Sequence, residues 1–592
     1  MSQGGNVGFY DRVTGKTRFV KPNHSDPAVT LRFNWNAAIA QDPYKDCGVY
    51  FGSQFVHYSD DCGVSWKIIS PDLTTNDPSK QKADQSGGLT MDATNAENHT
   101  TILAIAPSPV DKDVIWVGTD DGNLQLTRDG GKTWTNLSSN LKALPGGSWI
   151  PQIEVNSKNA GEAFVVANNY RRNDYAAYAY HTVDYGKSWR RIADDSKIAS
   201  FVLSIVQDPV EPDLLFLGTD AGLYVSFDKG NNWKHWNKGF PQVQVNDMKI
   251  HPREHDLVLG TFGRAFWVLD DIRPLRAIAS EGEKALDADF KVFDAPDAIQ
   301  VSMRSYDGIR FRAQNEFIGD NKSFDQILAS VWKKPAEKKD ESNEEKPDKK
   351  QKVKVNVYDS EGKMVRNYSR NIEDGLNKIR WGLETNGVRY PSRREVKDDD
   401  DPPGGPAVLP GKYKMVFEFD KKWDSIWVNV LADPRSDIKS QDRAGIREMQ
   451  MQLQSLAESA TKSFDKIQNA KKSIEIVEKL LANQPDSTKK EIKALHKSLN
   501  TALDSLSNMF MSPENQKGIQ RNPDELNSVL RGAGQYIGSS WETPGQNAQY
   551  AFEKAKMRTE EVTSAVNSFM DKEWAEYKVK VETLTLTVFK NE

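Results

Sequence analysis

The sequence predicts a multi-domain protein, mainly β and then α, with a β-propeller of about five or six blades, a β-sandwich and a C-terminal antiparallel helical bundle. Three observations lead to this fold class. An eight-residue motif recurs four times in the first half of the chain, short runs in the middle alternate apolar and polar residues, and apolar residues recur every three or four positions after Asp433-Pro434. Repeated short strands are typical of propellers, and the later spacing is typical of helices.

Length and composition restrict the class of protein. The chain has 592 residues, a net charge of −5 and 28% charged residues. It therefore has no overall positive charge to attract nucleic acid, and no apolar run approaches the roughly 20 residues of a membrane-spanning helix. The first residues lack the basic and apolar segments of a signal peptide. The eight histidines show no metal-ligand spacing, so we predict no metal site and no cofactor.

The chain has two cysteines, Cys47 and Cys62, which flank a predicted hairpin. Two cysteines are too few for a disulfide framework or a multi-cysteine zinc site. The sequence leaves open whether they form one disulfide bond or remain two buried thiols.

The repeated motif reads Ser/Thr-x-Asp-x-Gly-x-x-Trp. Its copies are Ser59–Trp66, Thr127–Trp134, Thr182–Trp189 and Ser226–Trp233. Asp-x-Gly suits a tight turn, because the carboxylate can accept backbone N–H groups and glycine can adopt a positive φ. Upstream of most copies, a proline-containing turn and an apolar run predict further short strands. A unit from His251 keeps this upstream part but lacks the aspartate motif. About four strands per unit predict a propeller blade.

These motifs resemble the Asp-box, or bacterial neuraminidase (BNR), repeats of a family that includes sialidases, two-propeller xyloglucanases and sortilin-type receptors. Gly260–Arg276 is similar to the end of the propeller in large bacterial exported proteins of the glycosyl-hydrolase-like or sortilin-like type, and Arg32–Asn36 to the start of one of their blades. The resemblance implies a secreted or cell-envelope protein. Such proteins normally have an export signal and more blades upstream, whereas a blade hairpin is predicted here almost at Met1. We therefore expect a propeller truncated at its N-terminus, with a small closed ring as the alternative.

The propeller is assigned to residues 1–276, and its repeated aspartates are predicted to be structural. A glycosidase needs two carboxyl groups that converge, whereas these aspartates recur once per blade on separate turns. The residues predicted to build the turns are Asp61, Gly63, Trp66, Asp129, Gly131, Trp134, Asp184, Gly186, Trp189, Asp228, Gly230 and Trp233.

The middle of the chain is divided into a connector at 277–310 and a β-sandwich at 311–433, with its first strand at about Phe311. Residues 333–354 are so rich in charge that we predict a disordered loop. The hairpin, the mid-domain tryptophan and the final Pro-Gly-x-Tyr strand of this region resemble Ig-like modules of the flagellar hook-capping type, which space or dock other domains. Asp398–Asp401 are predicted to be a solvated acidic loop, because the ligand alternation of an EF-hand is missing.

Residues 434–592 are predicted to form the helical bundle. Apolar residues from Ile446 to Leu481 mark one long helix, and Pro485-Asp486-Ser487 ends it and begins the next. Further helices are predicted after Asn522 and after Thr543. Because the apolar residues keep to one stripe, core packing is favoured over a dedicated partner-binding face.

Propeller ligands normally bind over the central channel, so we searched the segments that would border it. Aromatic rings there can stack on sugars, while arginine and aspartate can supply polar recognition. The candidate ligand-binding residues are Trp35, Asn36, Trp149, Tyr170, Arg171, Arg172 and Asp174. The alternatives are that the tryptophans belong to the propeller core and that the arginines are merely solvated.

Three channel-side carboxylates, Glu154, Asp174 and Asp247, are the weak candidates for an acid/base pair. Sialidase activity is not expected, because the Arg-Ile-Pro motif of that family is absent. Xyloglucanases of the family place their acids between two propellers, and only one propeller's worth of sequence is present. No serine-hydrolase or nucleotide-binding motif occurs.

The leading hypothesis is an exported propeller protein that binds a glycan or an extended peptide on the propeller face. The runner-up is a xyloglucanase-like glycoside hydrolase whose site would be completed by missing N-terminal blades. A structural envelope module without a ligand is the third reading. We expect no nucleic-acid partner and no membrane span; the oligomeric state and the ligand cannot be read from the sequence.

Overall fold

The computed structural model describes residues 4–82, 96–282, 284–301, 325–335, 351–395, 397, 400–481, 484–513, 518, 522–540, 542–584 and 586. The chain divides into two compact units, unit 1 at Met1–Asp287 and unit 2 at Ala288–Glu592. None of the helices in the described ranges has the length and apolar character needed to cross a membrane.

Unit 1 begins with a hairpin of β1 (Gly8–Tyr10) and β2 (Thr17–Phe19), followed by five antiparallel sheets made of consecutive strands. The first two are β3 (Ile39–Gln41), β4 (Val49–Gly52), β5 (Val56–Ser59) and β6 (Lys67–Ile68), then β7 (Ile102–Pro107), β8 (Ile115–Thr119), β9 (Leu124–Thr127) and β10 (Thr135–Asn136). The third is β11 (Trp149–Val155), β12 (Ala163–Asn169), β13 (Asp174–Thr182) and β14 (Arg190–Ala193). The last two are β15 (Val202–Gln207), β16 (Leu215–Thr219), β17 (Gly222–Ser226) and β18 (Lys234–Trp236), then β19 (Val245–Ile250), β20 (Leu257–Thr261) and β21 (Phe266–Leu269).

Consecutive sheets of unit 1 pack face to face through separate apolar cores. Trp116 of β8 shares one core with Ile150 and Ile153 of β11, and Phe164 of β12 shares the next with Leu217 of β16. The second strands of these sheets are buried throughout, because a sheet lies on each of their faces. Four-stranded sheets stacked in this way are the blades of a β-propeller, and one hairpin and five sheets fall within the predicted number.

The predicted connector at 277–310 is not a plain linker. It contains the end of α1 (Arg273–Glu281), then α2 (Lys284–Asp287), β22 (Phe290–Val292) and β23 (Ala298–Gln300). Both strands pair with strands that lie far along the chain, and Val292 and Ala298 are buried in the core of unit 2. Such distant pairing leaves no local pattern in two three-residue strands.

Unit 2 contains two larger sheets that share one apolar core. The first has the order β22–β24–β27, with β24 at Ile327–Lys333 and β27 at Gly375–Trp381. The second has the order β23–β31–β30–β25–β26. Its further strands are β25 (Gln351–Tyr358), β26 (Met364–Ile372), β30 (Gly411–Phe419) and β31 (Lys422–Ala432), and a separate hairpin joins β28 (Glu384–Asn386) and β29 (Gly404–Ala407). An Ig-like classification of this pair of sheets stays a prediction.

The range predicted for the disordered loop, 333–354, extends into the strands on both sides. Lys333 ends β24, and Gln351 begins β25, in which buried Val353 and Val355 alternate with lysines. Because the valines are buried on one face, the lysines between them belong to a strand and lie on its exposed face. Residues 336–350, the strand predicted at about Phe311, and Asp398 and Asp399 of the acidic loop lie outside the described residues.

In the described parts of residues 440–582, five α-helices share one core. They are α3 (Ser440–Leu480), α4 (Asp486–Phe510), α5 (Leu526–Gly538), α6 (Gln546–Asp571) and α7 (Glu573–Glu582). Proline precedes α4, α5 and α6 by at most three residues, which explains why these boundaries could be predicted. The break between α6 and α7 at Lys572 has no such signal. The antiparallel bundle stays a prediction in its details.

Candidate functional site

The ends of the blades of unit 1 differ in what they carry. The first strands β3, β7, β11, β15 and β19 contact one another from sheet to sheet and are therefore the innermost. Because the strands are antiparallel, the turn between the third and fourth strands lies at one end, which we call the Asp-turn end. The start of the innermost strand and the turn between the second and third strands lie at the other, which we call the loop end.

At the Asp-turn end, each repeated aspartate is bonded within its own turn. Asp129 Oδ1 accepts the backbone N–H of Thr133 at 2.9 Å and the hydroxyl of Thr127 at 2.8 Å, while Oδ2 accepts the Thr133 hydroxyl at 2.6 Å. Asp61, Asp184 and Asp228 have matching bonds. The bonds from Thr133, with a smaller contribution from Thr127, lower the pKa of Asp129 to about 2, although burial opposes them. These carboxylates hold the turns.

The glycine and tryptophan of each motif also have structural roles, in the turn and in its contact with the preceding blade. Gly131 has a φ of +97°, and a Cβ there would lie 2.5 Å from the carbonyl oxygen of Ile69 on the preceding blade. Gly63, Gly186 and Gly230 also have positive φ values. Three indole N–H groups donate to the preceding blade or hairpin, in the pairs Trp66–Val20, Trp134–Ile69 and Trp233–Ile192. Trp189 donates to Gly186 in its own turn. The motif therefore fixes both a turn and a blade contact.

The two cysteines form a disulfide bond, the alternative that the sequence left open beside two thiols. Cys62 lies in the first Asp turn, and its N–H donates to the carbonyl of Cys47 at 3.0 Å. The equivalent N–H of the next blade, that of Gly130, donates to Asp113 in the same way without a covalent bond. The disulfide thus reinforces a contact that the other blades make by hydrogen bonding alone.

At the loop end, Arg171 lies against aromatic rings. Its guanidinium carbon is 3.3 Å from the ring centroid of Trp149 and 4.4 Å from that of Tyr170. The Tyr170 ring stacks on Phe201 at 4.5 Å, and Tyr175 lies 6.2 Å from Phe201. These five side chains form one continuous row at the loop end, in which Arg171 and Tyr175 are exposed and Phe201 is buried; we call it the aromatic strip.

The Arg171 guanidinium has hydrogen-bond donors that no described residue uses. Within the ranges that the structure covers, it has neither a hydrogen-bond nor an ion-pair partner. The stacked rings displace water, and this desolvation lowers the pKa of Arg171, although Tyr170 and Asp120 oppose the effect. A guanidinium held flat by aromatic rings keeps its edge N–H groups directed outward, ready for a ligand oxygen.

Asp120, in the turn between β8 and β9, connects the strip to the segment before β3. It is fully buried and accepts the N–H and hydroxyl of Thr101 and the side-chain amide of Asn34, at 2.8, 2.6 and 3.0 Å. Burial raises the pKa of Asp120. Next to Asn34, Trp35 is 43% exposed and Asn36 is also exposed. Trp35 is therefore a surface residue, and the core alternative for it is wrong.

Two of the predicted ligand residues are already engaged. Arg172 donates to the carbonyl of Gly146 at 2.8 Å and to Asn169 at 3.4 Å. Asp174 accepts bonds from Asn169, Ala176 and Tyr178. Although burial opposes it, this hydrogen bonding lowers the pKa of Asp174. Both side chains hold the turn between β12 and β13, so neither is free in the way that Arg171 is.

An open pocket of about 480 Å³ lies beside this turn. Its lining residues are Asn173, Asp174, Tyr175, Ala176, Asp195, Ile198 and Ala199. Tyr175 belongs to the aromatic strip, so the strip leads directly into the pocket. A ligand that lies on the aromatic strip could therefore also enter this pocket at the Tyr175 end of the strip.

The other two carboxylate candidates lie on innermost strands, Glu154 on β11 and Asp247 on β19. Burial raises the pKa of Glu154 to about 7; Asp247 adds to the rise, and Lys249 and the N–H of Gln207 oppose it. Asp174 interacts with a different set of residues. Glu154 and Asp247 thus interact electrostatically, whereas Asp174 does not interact with either of them. The three candidate carboxylates do not form one cluster.

Sequence reasoning missed four residues of this region. Tyr175 directly follows the predicted Asp174, but the sequence does not distinguish it from the nearby Tyr178 and Tyr180. Phe201 and Lys249 belong to runs that predict only β-strands, and Asp120 belongs to a segment that predicts only a hairpin turn, so the sequence does not mark any of them as a site residue. Over the described residues, no group of three or more His, Cys, Asp or Glu side chains is arranged to hold a metal ion.

No family model matches the chain. A probable oligoxyloglucan-reducing end-specific xyloglucanase of Neosartorya fischeri is 27% identical over 161 residues, which cover 24% of this chain and 18% of that protein. Among solved structures, an ancestral GH74 enzyme is 13% identical, with a TM-score of 0.29 and coverage of 68% of this chain and 48% of that one. The WD40 β-propeller domain of Doa1 is 10% identical, with a TM-score of 0.26 and coverage of 41% and 68%. The matched part of this chain spans less than a fifth of the xyloglucanase, and at these TM-scores the assignment of blades rests on the sheets and cores described above.

Proposed function

We propose that the protein binds a glycan at the loop end of unit 1, with the aromatic strip as the contact surface. The observation that carries the proposal is the Arg171 guanidinium, which is stacked on Trp149 and Tyr170 and whose donors bind none of the described residues. Aromatic faces stack on sugar rings, and guanidinium donors bind sugar hydroxyl oxygens. Exposed Trp35 and the pocket beside Tyr175 extend this surface.

The similarity to a xyloglucanase supports a carbohydrate as the first class of ligand to test. The Cys47–Cys62 disulfide supports an exported protein, because disulfides persist in oxidising compartments. We also propose that the protein belongs to the group of Asp-box and sortilin-like propeller proteins. This proposal rests on the four repeated turns and their shared hydrogen bonds.

Arg171→Ala and Trp149→Ala are each expected to weaken glycan binding about 10-fold or more, because loss of a contact of about 1.4 kcal/mol changes an affinity tenfold. A glycan array that includes xyloglucan oligosaccharides identifies the ligand, and titration calorimetry then measures the affinity of each variant.

Arg128→Ala is the matched control. Arg128 lies 3.9 Å above the ring of Tyr185, a similar stacking at the Asp-turn end. Its loss should leave the affinity unchanged. Unaltered binding by both Arg171→Ala and Trp149→Ala would contradict the proposed site. If the protein binds extended peptides but no glycan, the ligand class is a peptide. If it binds neither, a structural role is favoured.

A second candidate function is glycoside hydrolysis, which the raised pKa of Glu154 favours. A general acid must hold its proton near the working pH, and a carboxyl group with a pKa of about 7 meets this condition. Asp247, which acts on Glu154 electrostatically, is the carboxylate available as its partner. The pair lies on the innermost strands, apart from the aromatic strip.

If the protein is a hydrolase, Glu154→Gln should lower release of reducing sugar at least about 100-fold while ligand affinity is kept. The rate of the unmodified protein should fall as pH rises through about 7, because Glu154 then loses its proton. Asp60→Asn is the control and should retain activity, because Asp60 is an exposed carboxylate that pairs with Lys45 in a different blade. Full activity in Glu154→Gln, or no hydrolysis by the unmodified protein, would leave the binding proposal alone.

A further inference from the structure

The outward face of the five-stranded sheet of unit 2 carries two exposed tryptophans. Trp423 and Trp427 of β31 are 72% and 48% exposed, whereas Ile426, Val428 and Val430 on the opposite face of the strand are buried. Positions four residues apart on a strand point to the same side, about 13 Å apart along the backbone. Such exposure is unusual for tryptophan, since burying an indole is favourable.

Lysines surround these indoles on the neighbouring strands. Lys414 of β30 lies directly opposite Trp427, and the ammonium group of Lys412 is 5.1 Å from the centroid of the Trp427 ring. On β25, Lys352 and Lys354 share this face, because they alternate with the buried residues Val353 and Val355. The face thus has four lysines.

On the described strands, little negative charge lies beside these four cations. The acidic residue that faces the same side on β30 and β31 is Glu418, which is paired in register with Trp423 and Lys354. In the part of unit 2 that the structure describes, no carboxylate, that of Glu418 included, forms an ion pair with Lys352, Lys354, Lys412 or Lys414. We call the two tryptophans and four lysines the Trp–Lys face.

We propose that the Trp–Lys face binds an anionic polysaccharide, with the two indoles stacking on sugar rings and the lysines pairing with carboxylate or sulfate groups. This site is separate from the loop end of unit 1, and nothing in its argument depends on the function proposed there. Ser425 lies between the two tryptophans on the strand and is paired with Val416 of β30, so the two indoles are separate contact points on this face.

The chemistry of the face favours this occupant over others. The centres of protein–protein interfaces are depleted in lysine, whereas four lysines surround these indoles. Single-stranded nucleic acid stacks successive bases on neighbouring aromatic rings, whereas these two indoles lie about 13 Å apart along the strand. An extended acidic glycan matches both the spaced rings and the local positive charge.

The test uses the full chain and paired polymers that differ only in charge: polygalacturonate against its methyl ester, and dextran sulfate against dextran. We expect affinity electrophoresis to show retardation by at least one charged polymer and little by its neutral counterpart. The double variant Trp423→Ala/Trp427→Ala should weaken binding at least about 10-fold, and Lys412→Ala/Lys414→Ala should weaken it and reduce its salt dependence.

Tyr536→Ala, which removes an exposed aromatic residue from α5, is the matched control and should bind normally. Arg171→Ala should also bind the charged polymer normally, which separates this site from the loop end of unit 1. Equal binding of charged and neutral polymers, or full binding by the double tryptophan variant, would overturn the proposal. So would preferential binding to oligo(dT) or to phosphatidylglycerol vesicles.

Discussion

Replacing Arg276 by alanine is expected to lower the free energy of unfolding of unit 1 by about 3–5 kcal/mol. Arg276 donates three hydrogen bonds of 2.8–2.9 Å to the carboxylate of Asp208, and both side chains are buried. Its remaining nitrogen lies 2.7 Å from His255. Without the guanidinium, Asp208 keeps a buried negative charge, and the donors left to it among the described residues are the N–H groups of Val210 and Glu211. An unpaired buried charge is strongly destabilising.

Differential scanning calorimetry measures this effect, because two units with separate cores can give separate transitions. The change should appear in the transition of unit 1 alone. Arg253→Ala is the control, since Arg253 is exposed and its ion pair with Glu254 lies at the surface, where such pairs contribute about 0–1 kcal/mol. A loss for Arg276→Ala no greater than that of Arg253→Ala would show that the buried pair does not hold α1 to the blades.

Trp381→Ala is expected to destabilise unit 2 by about 3–5 kcal/mol. The side chain is 1% exposed and lies in the core shared by the two sheets. Its indole N–H donates to the carbonyl of Glu384 at 2.9 Å, and its ring meets Tyr413 edge to face at 5.3 Å. Truncation leaves a large cavity and also an unpaired carbonyl. Urea denaturation followed by circular dichroism measures the loss.

Trp423→Ala provides the comparison within the same sheets. Because Trp423 is exposed, its removal should change the free energy of unfolding by no more than about 0.5 kcal/mol. Similar losses for the two variants would mean that Trp423 is packed in solution, which would also remove the basis of the Trp–Lys face. A large loss for Trp381→Ala alone is the expected pattern.

Local signals account for the parts of the fold that could be predicted. Asp-x-Gly needs only neighbouring backbone and side-chain groups to close its turn, so the four motifs located four blade turns. Proline near three helix starts marked boundaries in the same local way. By contrast, β22 and β23 are short and pair with strands far along the chain, so the connector prediction missed them.

The candidate site shows the same division. Chain order was enough to place Trp149, Tyr170 and Arg171 near the loop end, because turns alternate between the ends of an antiparallel sheet. It could not distinguish Arg171 from Arg172, which are adjacent and chemically identical. Arg172 is occupied by the carbonyl of Gly146, whereas Arg171 stacks on rings and keeps its donors.

The sequence by itself determined the order of the parts: repeated blade units first, strands of a second β region next, and helices last. Those features follow from interactions between residues close in the chain. Only the tertiary structure decided which side chains are free to act. Trp381 and Trp423 both lie on strands of unit 2, yet one fills a core and the other faces solvent. Burial and hydrogen-bond partners depend on which distant strands pack together, and that information is not present in any short stretch of sequence.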